Sequence, residues 1–283
     1  MKDTTEINKI NEVLVKILAP NPGIMTGNGT NTYLVGEKTL AVVDPGPDHK
    51  GHLETIVNYA HKRAKGNIKY ILLTHAHPDH ALGTAKLKEM TGAVVAAFGP
   101  STDIMPLKPD IYVSEGFVFT LDKVRLRTLH TPGHSSDHLC FLLEDMNCLL
   151  AGDHIMQGST VVILPPQGDM GLYLKSLYRL ASLTPPLQTI APGHGEMITN
   201  PAVTLNEYIT HRLAREKAVE DSLKTFKKAT IDQLLPLVYQ DTDPVLHPIA
   251  RYSLWAHLRK LTLEKKVTCQ NMDNLNSMWI YNG

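Results

Sequence analysis

Cysteine is scarce in this chain of 283 residues, with only Cys140, Cys148 and Cys269 present. Three cysteines cannot build a disulfide framework, and none has the paired spacing of a metal knuckle, so a reducing compartment fits best. There is also no surplus of either charge, because lysine plus arginine and aspartate plus glutamate number 28 each. A polyanionic partner therefore leaves no mark on the overall balance. The imbalance is local: Thr210 to Gly283 holds 11 basic and 8 acidic residues, leaving 17 and 20 in the rest. No run of 18 apolar residues occurs, which excludes a membrane-spanning helix. The opening Met1-Lys2-Asp3-Thr4-Thr5-Glu6 is acidic early and lacks an apolar core, and the first arginine is Arg63. Neither a secretory signal nor an arginine-rich transit peptide is expected. These absences predict a cytoplasmic protein with no membrane partner.

What is present is a globular composition, 43% hydrophobic and 20% charged, able to bury a core. From Val13 to about Asn200, short β-branched runs end in turn residues. Thr32-Tyr33-Leu34-Val35 and Thr39-Leu40-Ala41-Val42-Val43 flank a turn at Gly36 and predict a hairpin. Lys69 to Leu73, Ala93 to Ala97, Phe117 to Leu129, Leu139 to Leu143, Cys148 to Leu150 and Thr189 to Ala191 predict further strands. The near-continuous apolar runs among them suit strands covered on both faces. Helices are predicted over His52 to Ala64, Ala81 to Met90 and Met170 to Leu183. The tail differs in character. Leu205 to Lys228, Ile231 to Tyr239 and Ile249 to Glu264 predict three helices, the second opened near Thr230. Short strands follow at Val267-Thr268-Cys269 and Met278-Trp279-Ile280-Tyr281. Helix, helix, helix, hairpin is the order of a winged-helix unit.

The chemistry lies in histidine. Thr74-His75-Ala76-His77-Pro78-Asp79-His80 sets four ligand-type side chains within six residues, too dense for an ordinary surface loop. Downstream come His134 in Thr131-Pro132-Gly133-His134, Asp153 in Ala151-Gly152-Asp153 and His194 in Pro192-Gly193-His194-Gly195. Each follows a predicted strand end, where open sheets place active sites. Imidazole with carboxylate selects zinc, iron or manganese over calcium. His75 and His77, two apart on extended chain, point the same way and grip one ion. Asp79 and His80, past the turn at Pro78, face a second position. A catalytic zinc takes about three protein ligands plus water, so seven candidates suit two ions sharing a carboxylate. Water between such ions has its pKa lowered from about 16 towards about 7, which gives hydroxide without a serine or cysteine nucleophile.

Other residues take supporting or ordinary parts. Asp44, in Val43-Asp44-Pro45-Gly46, reads as a buried turn carboxylate behind the metal loop. His130, His138 and His154 lie near ligands and could orient them through hydrogen bonds. His49, His52, His61, His211 and His257 are expected to be solvated or on helix surfaces, and Cys140 and Cys148 to be strand interior.

These motifs resemble the metallo-beta-lactamase fold superfamily over roughly Val13 to Asn200. The resemblance implies an α/β fold, a four-layer αβ/βα sandwich with a small C-terminal winged-helix-like domain. It divides the chain into a catalytic domain over 1–208 and a tail domain over 209–283. It also implies that His75, His77 and His134 hold one metal and that Asp79, His80 and His194 hold the second, with Asp153 bridging. Asp79 and Asp153 are then the catalytic carboxylates, with Asp44 and His138 behind the ligands. Two zinc ions per chain are the expected cofactor, manganese and iron remaining open.

A narrower resemblance rests on Asn21-Pro22-Gly23-Ile24-Met25-Thr26, Gly29-Thr30-Asn31-Thr32-Tyr33-Leu34-Val35-Gly36, Asp137-His138 and the tail after Tyr208-Ile209-Thr210-His211-Arg212. It is to the beta-lactamase-like protein 2 group, whose animal members are single-strand-selective endoribonucleases. That implies a phosphodiesterase acting on single-stranded RNA, with Arg212, Arg215, Lys217, Lys224, Lys227 and Lys228 supplying backbone contacts. The alternative is a hydrolase of a small carbonyl substrate: a thioester, lactone or beta-lactam. The ligand segments also resemble glyoxalase II enzymes, and the proline-rich Met156 to Asp169 differs in character from the animal nucleases. A regulator with a vestigial site fits poorly with an intact ligand set, and a di-iron redox protein would need a flavin domain. A homodimer built on the tail is the remaining partner arrangement.

Overall fold

Strands buried on both faces carry few polar side chains, and the apolar runs of this chain fold accordingly. In a computed structural model, residues 5–64, 66–99 and 108–283 are described. Residues 1–4, part of the Met1 to Glu6 segment on which the targeting expectation rests, lie outside them. The described residues pack as two compact units, neither of them a single run of chain. One takes the residues up to Thr131 together with Asp137–Ser159 and Thr184–Pro201; the other takes Pro132–Ser136, Thr160–Leu183 and Ala202–Gly283.

The first unit contains β1 (Glu6–Lys9), β2 (Leu14–Leu18), β3 (Asn31–Gly36), β4 (Leu40–Val43), α1 (Lys50–Ala64), β5 (Ile68–Leu72), α2 (Pro78–Ala81), α3 (Thr84–Thr91), β6 (Val94–Phe98), β7 (Ile111–Val113), β8 (Val118–Leu121), β9 (Val124–His130), β10 (Leu139–Leu143), β11 (Cys148–Gly152) and β12 (Thr189–Pro192). Strands β1 to β7 form one sheet in sequence order, parallel from β4 onward. A second sheet runs β12-β11-β10-β9-β8, with only the β11–β12 pair parallel. Between the sheets lie Leu14, Val35, Val43 and Leu72 from the first and Phe119, Leu126, Phe141 and Leu150 from the second. The alternate residues Val15, Leu34, Val42, Ile71 and Val95 face Leu53 and Ile56 of α1 and Leu87 of α3. This period-two split explains why the runs are apolar throughout. The architecture is the expected α/β sandwich. The predicted strand over Phe117 to Leu129 is two strands, β8 and β9, because Asp122 takes φ 57° and turns the chain back.

The second unit contains α4 (Met170–Ala181), α5 (Pro201–Phe226), β13 (Lys228–Ala229), α6 (Ile231–Val238), α7 (His247–Leu263), β14 (Val267–Cys269) and β15 (Trp279–Tyr281). Thr230 opens α6 with a capping box to Gln233, satisfying donors that the first turn leaves free. The predicted helix end at Lys228 is corrected: Lys227 takes φ 63°, which stops α5 and starts the strand β13. Strands β13, β15 and β14 form a small sheet over a core of Leu223, Leu234, Leu254, Leu258 and Trp279, as a winged-helix domain requires. Among the described residues, no helix is long and apolar enough to cross a membrane. Cys140 and Cys148 are buried and unbridged, in β10 and β11.

Candidate metal centre

Strand β5 delivers the histidine motif at its C-terminal end, and the motif is held from behind by Asp44, at the end of β4. Oδ1 of Asp44 accepts the Thr74 N–H at 2.8 Å, and its Oδ2 accepts the Thr74 hydroxyl at 2.7 Å. The same Oδ2 lies 2.8 Å from His80 Nδ1. Thr74 Oγ1 in turn stands 2.9 Å from His75 Nδ1. One buried carboxylate thus orients His80 directly and His75 through a hydroxyl, turning both Nε2 atoms outward. His75 Nε2 and His77 Nδ1 approach to 2.8 Å. Pro78 starts α2, and this short turn carries Asp79 and His80.

Two more strand ends complete the group. Asp153 follows β11, and its backbone N–H donates to His138 Nε2 at 3.2 Å. His138 Nδ1 sits 2.9 Å from Thr131 Oγ1, and the ring is buried. His194 follows β12, with Nδ1 3.0 Å from the Gly29 carbonyl and Nε2 3.2 Å from Asp79 Oδ2 and 3.3 Å from Asp153 Oδ1. Asn31 clamps the turn before it, its amide Nδ2 donating to the carbonyls of Pro192 at 2.9 Å and Gly195 at 2.8 Å. Thr30 Oγ1 donates to Asp79 Oδ2 at 3.3 Å and is itself held by Asn21 at 2.9 Å. Thr30, Asn31 and Thr74 were not singled out from sequence; the signal available was their place in Gly29-Thr30-Asn31 and before His75.

Ligand atoms of His75, His77 and Asp153 lie within 4.8 Å of one another, and so do those of Asp79, His80 and His194. His134 belongs to the second unit, where its Nδ1 lies 2.9 Å from the Val162 carbonyl. Other histidines depart from expectation. His52 is fully buried, 3.0 Å from Thr32 Oγ1, and His257 is fully buried 3.5 Å from Glu216, so neither is a solvated helix residue. His130 stacks on Phe98 at 4.0 Å.

The electrostatics suit a cation. Burial opposes charge on His80, but Asp153, Asp44 and Asp79 outweigh it and hold its pKa well above the usual value. Burial likewise opposes a cationic His194, yet the carboxylates of Asp153 and Asp79 push it up to about 9. Burial raises Asp79, but His80 and His194 bring it down to about 2. The same pair holds Asp153 well below the carboxylate range against its burial. His80 Nε2 is buried and makes no hydrogen bond, although Asp153 and Asp79 oxygens stand 3.2 and 3.4 Å away. A ring nitrogen converging on carboxylates without bonding geometry is the donor set of a cation site.

Metal binding must therefore displace protons. Calorimetry near pH 7.5 in buffers of different ionisation enthalpy is expected to show release of about two protons per chain. Affinity rises with pH through the loss of the His194 proton near 9. In the metal-free protein the sign is opposite. The His194 contribution to stability is complete below its ordinary 6.5 and fades as pH rises through about 9. Buffer-independent binding enthalpies would contradict both statements.

Close packing leaves no slack. A Cβ on Gly193 would stand 2.6 Å from Asp153 Oδ1 and 2.8 Å from His80 Cε1. Gly193→Ala is expected to lower bound metal by at least about tenfold, because the added methyl must push two candidate ligands apart. Metal analysis at matched protein concentration checks this, and unchanged occupancy would refute it.

The metallo-beta-lactamase superfamily pattern matches residues 25–194. The chain belongs to the metallo-beta-lactamase superfamily. The beta-lactamase associated winged helix domain matches residues 230–273, within the second unit. Members of this superfamily are typically hydrolases that bind divalent metals, and the two donor groups could hold such ions. The chain is 32% identical over 284 residues to the beta-lactamase-like protein 2 homologue of Drosophila melanogaster, covering 92% of this chain and 91% of that protein. It is 30% identical over 290 residues to Lactamase-like protein nscB of Arthroderma benhamiae, spanning 97% of this chain but 64% of that longer protein. A beta-lactamase domain protein from Burkholderia ambifaria shares the fold, with a TM-score of 0.82 at 18% identity over 98% of this chain and 93% of its own.

Proposed function

We propose that this superfamily member is a binuclear metal-dependent hydrolase acting through activated water. The observation that carries the reading is Asp153 Oδ1, placed 3.2 Å from His80 Nε2 and 3.3 Å from His194 Nε2, on a residue whose ligand atom also lies within reach of His75 and His77. By the family pattern His134 joins His75 and His77, while Asp79 joins His80 and His194. Zinc best suits five imidazoles with two carboxylates. When bound, the ions supply a water acidic enough to be hydroxide near neutral pH. The chain's own residues do the rest. Asp44 and the Gly29 carbonyl fix the rings of His80 and His194, which keeps the donor set preorganised. Asp79, its side chain 28% exposed, is the carboxylate that faces incoming substrate and relays the proton to the leaving group.

For substrate, the first reading is the phosphodiester of single-stranded RNA, supported by similarity to the beta-lactamase-like protein 2 homologue over most of the chain. One observation favours the second reading, a small carbonyl substrate. Arg212 is 2% exposed and bonded to the Val161 carbonyl. The Arg215 side chain is 12% exposed and paired with Asp241, while Lys217 and Lys224 pair with Asp221 and Glu220. Two of the six cations expected to meet phosphates are thus turned inward, and two more are engaged.

The deciding experiment offers zinc-loaded protein single-stranded RNA, a glutathione thioester, a homoserine-type lactone and a beta-lactam side by side, with Asp79→Ala as control. RNA cleavage lost in Asp79→Ala supports the first reading; RNA cleavage that persists there is contamination and removes it. Thioester or lactone turnover without RNA cleavage establishes the second. Metal content well under one ion per chain after loading would end the binuclear proposal.

A further inference from the structure

Three consecutive residues, Val161, Val162 and Ile163, have backbone groups engaged by side chains of the second unit. The Val161 carbonyl accepts from Nη2 of Arg212 on α5. The Val162 carbonyl faces Nδ1 of His134 at 2.9 Å. The Ile163 N–H donates to Oγ of Ser253 on α7 at 3.2 Å. All three side chains are buried, with Arg212 2%, Ser253 5% and His134 9% exposed.

A buried guanidinium is costly unless something compensates it. Arg212 lies 5.3 Å from the centre of the Tyr173 ring, yet its Nε makes no hydrogen bond. Its Nη2 hydrogen bond goes to the carbonyl one residue from the one facing His134. The loop before His134 is anchored as firmly by α4. Ser176 Oγ donates to the Pro132 carbonyl at 2.9 Å, and the Asp169 N–H donates to the Gly133 carbonyl at 2.8 Å. A Cβ on Gly133 would meet Tyr173 Cα at 2.3 Å.

We infer that Arg212 and Ser253 are positioning residues for His134. Anchored on both sides, the Val162 peptide cannot swing, so its carbonyl keeps accepting the His134 Nδ1–H and leaves the Nε2 lone pair for a metal. The C-terminal helices thereby set the orientation of the His134 ring within the second unit. This rests on the reading of His134 as a ligand.

The test uses full-length Arg212→Met, Arg212→Lys, Ser253→Ala and His134→Ala, each checked for its fold by circular dichroism. Two measurements are made. Nitrogen-15 histidine NMR of the metal-free protein reports the tautomer of His134, and zinc titration against a chelator resolves each equivalent. Arg212→Met is expected to lose the fixed Nδ1–H form and to weaken one zinc equivalent about 10–100-fold, with the other unchanged. Ser253→Ala acts in the same direction more mildly. Arg212→Lys recovers part of the loss, because an ammonium still reaches one carbonyl. If Arg212→Met and Ser253→Ala keep both equivalents and the parent spectrum while His134→Ala loses one, the positioning role is wrong and His134 stands as a ligand. If His134→Ala keeps both equivalents, the ligand assignment falls and takes the inference with it. Should Arg212→Met not fold, Ser253→Ala decides.

Discussion

On the binuclear hydrolase proposal, replacing Asp153 by alanine is expected to abolish hydrolysis and to reduce bound metal from about two ions per chain to about one or fewer. The reason is position. Its Oδ1 is close to both His80 and His194, and a ligand atom of the same residue lies with those of His75 and His77. Loss of a partner that merely orients a ligand costs about 10–100-fold in affinity, and loss of a shared ligand must exceed that. The residue is only 8% exposed, so water cannot readily take over its role. Metal analysis of Asp153→Ala beside the parent checks the effect. Retention of two ions and of activity would show that the two donor groups do not share this carboxylate.

The second large effect is on stability. Asp44→Ala removes the acceptor of the Thr74 N–H, of the Thr74 hydroxyl and of His80 Nδ1, all at 2.7–2.8 Å, from a site 1% exposed. The orphaned donors stay buried, because β4 and β5 pair directly beside them. Removing one partner of a buried, hydrogen-bonded ion pair costs about 3–5 kcal/mol. Chemical denaturation of the metal-free protein should register that loss, and a change below about 1 kcal/mol would remove Asp44 as the anchor of the motif. Asp44→Asn separates charge from shape. It can keep one acceptor for the Thr74 N–H but then places its amide NH2 against both the Thr74 hydroxyl and His80 Nδ1.

The metal motif was legible in the sequence because His75 to His80 are local, and local density of ligand-type side chains has few other uses. The strands were legible for a related reason, since residues such as Leu34 and Val35 are buried on opposite faces of one sheet. What escaped was long-range. Thr30 meets Asp79 across 49 residues and Asn31 meets Gly195 across 164, and nothing in a hydroxyl or an amide announces such a partner. His52 and His257 were misplaced because helix periodicity says little about a polar residue that finds a buried partner, here Thr32 and Glu216. Arg212 and Arg215, expected to contact an RNA backbone, are turned inward for the same reason. Their burial is decided by tertiary neighbours: the Val161 carbonyl for Arg212, and the Val238 carbonyl and the Tyr239 ring for Arg215.

The interleaved chain of the second unit also sets an order of events during synthesis. His134 leaves the ribosome with the first unit's strands, but Ser253, which anchors its neighbourhood, comes 119 residues later. At about 5–20 residues per second, that is a wait of roughly 6–24 s. Over that interval the nascent chain exposes the His75 to His80 motif, folded or not, before the last support for His134 exists.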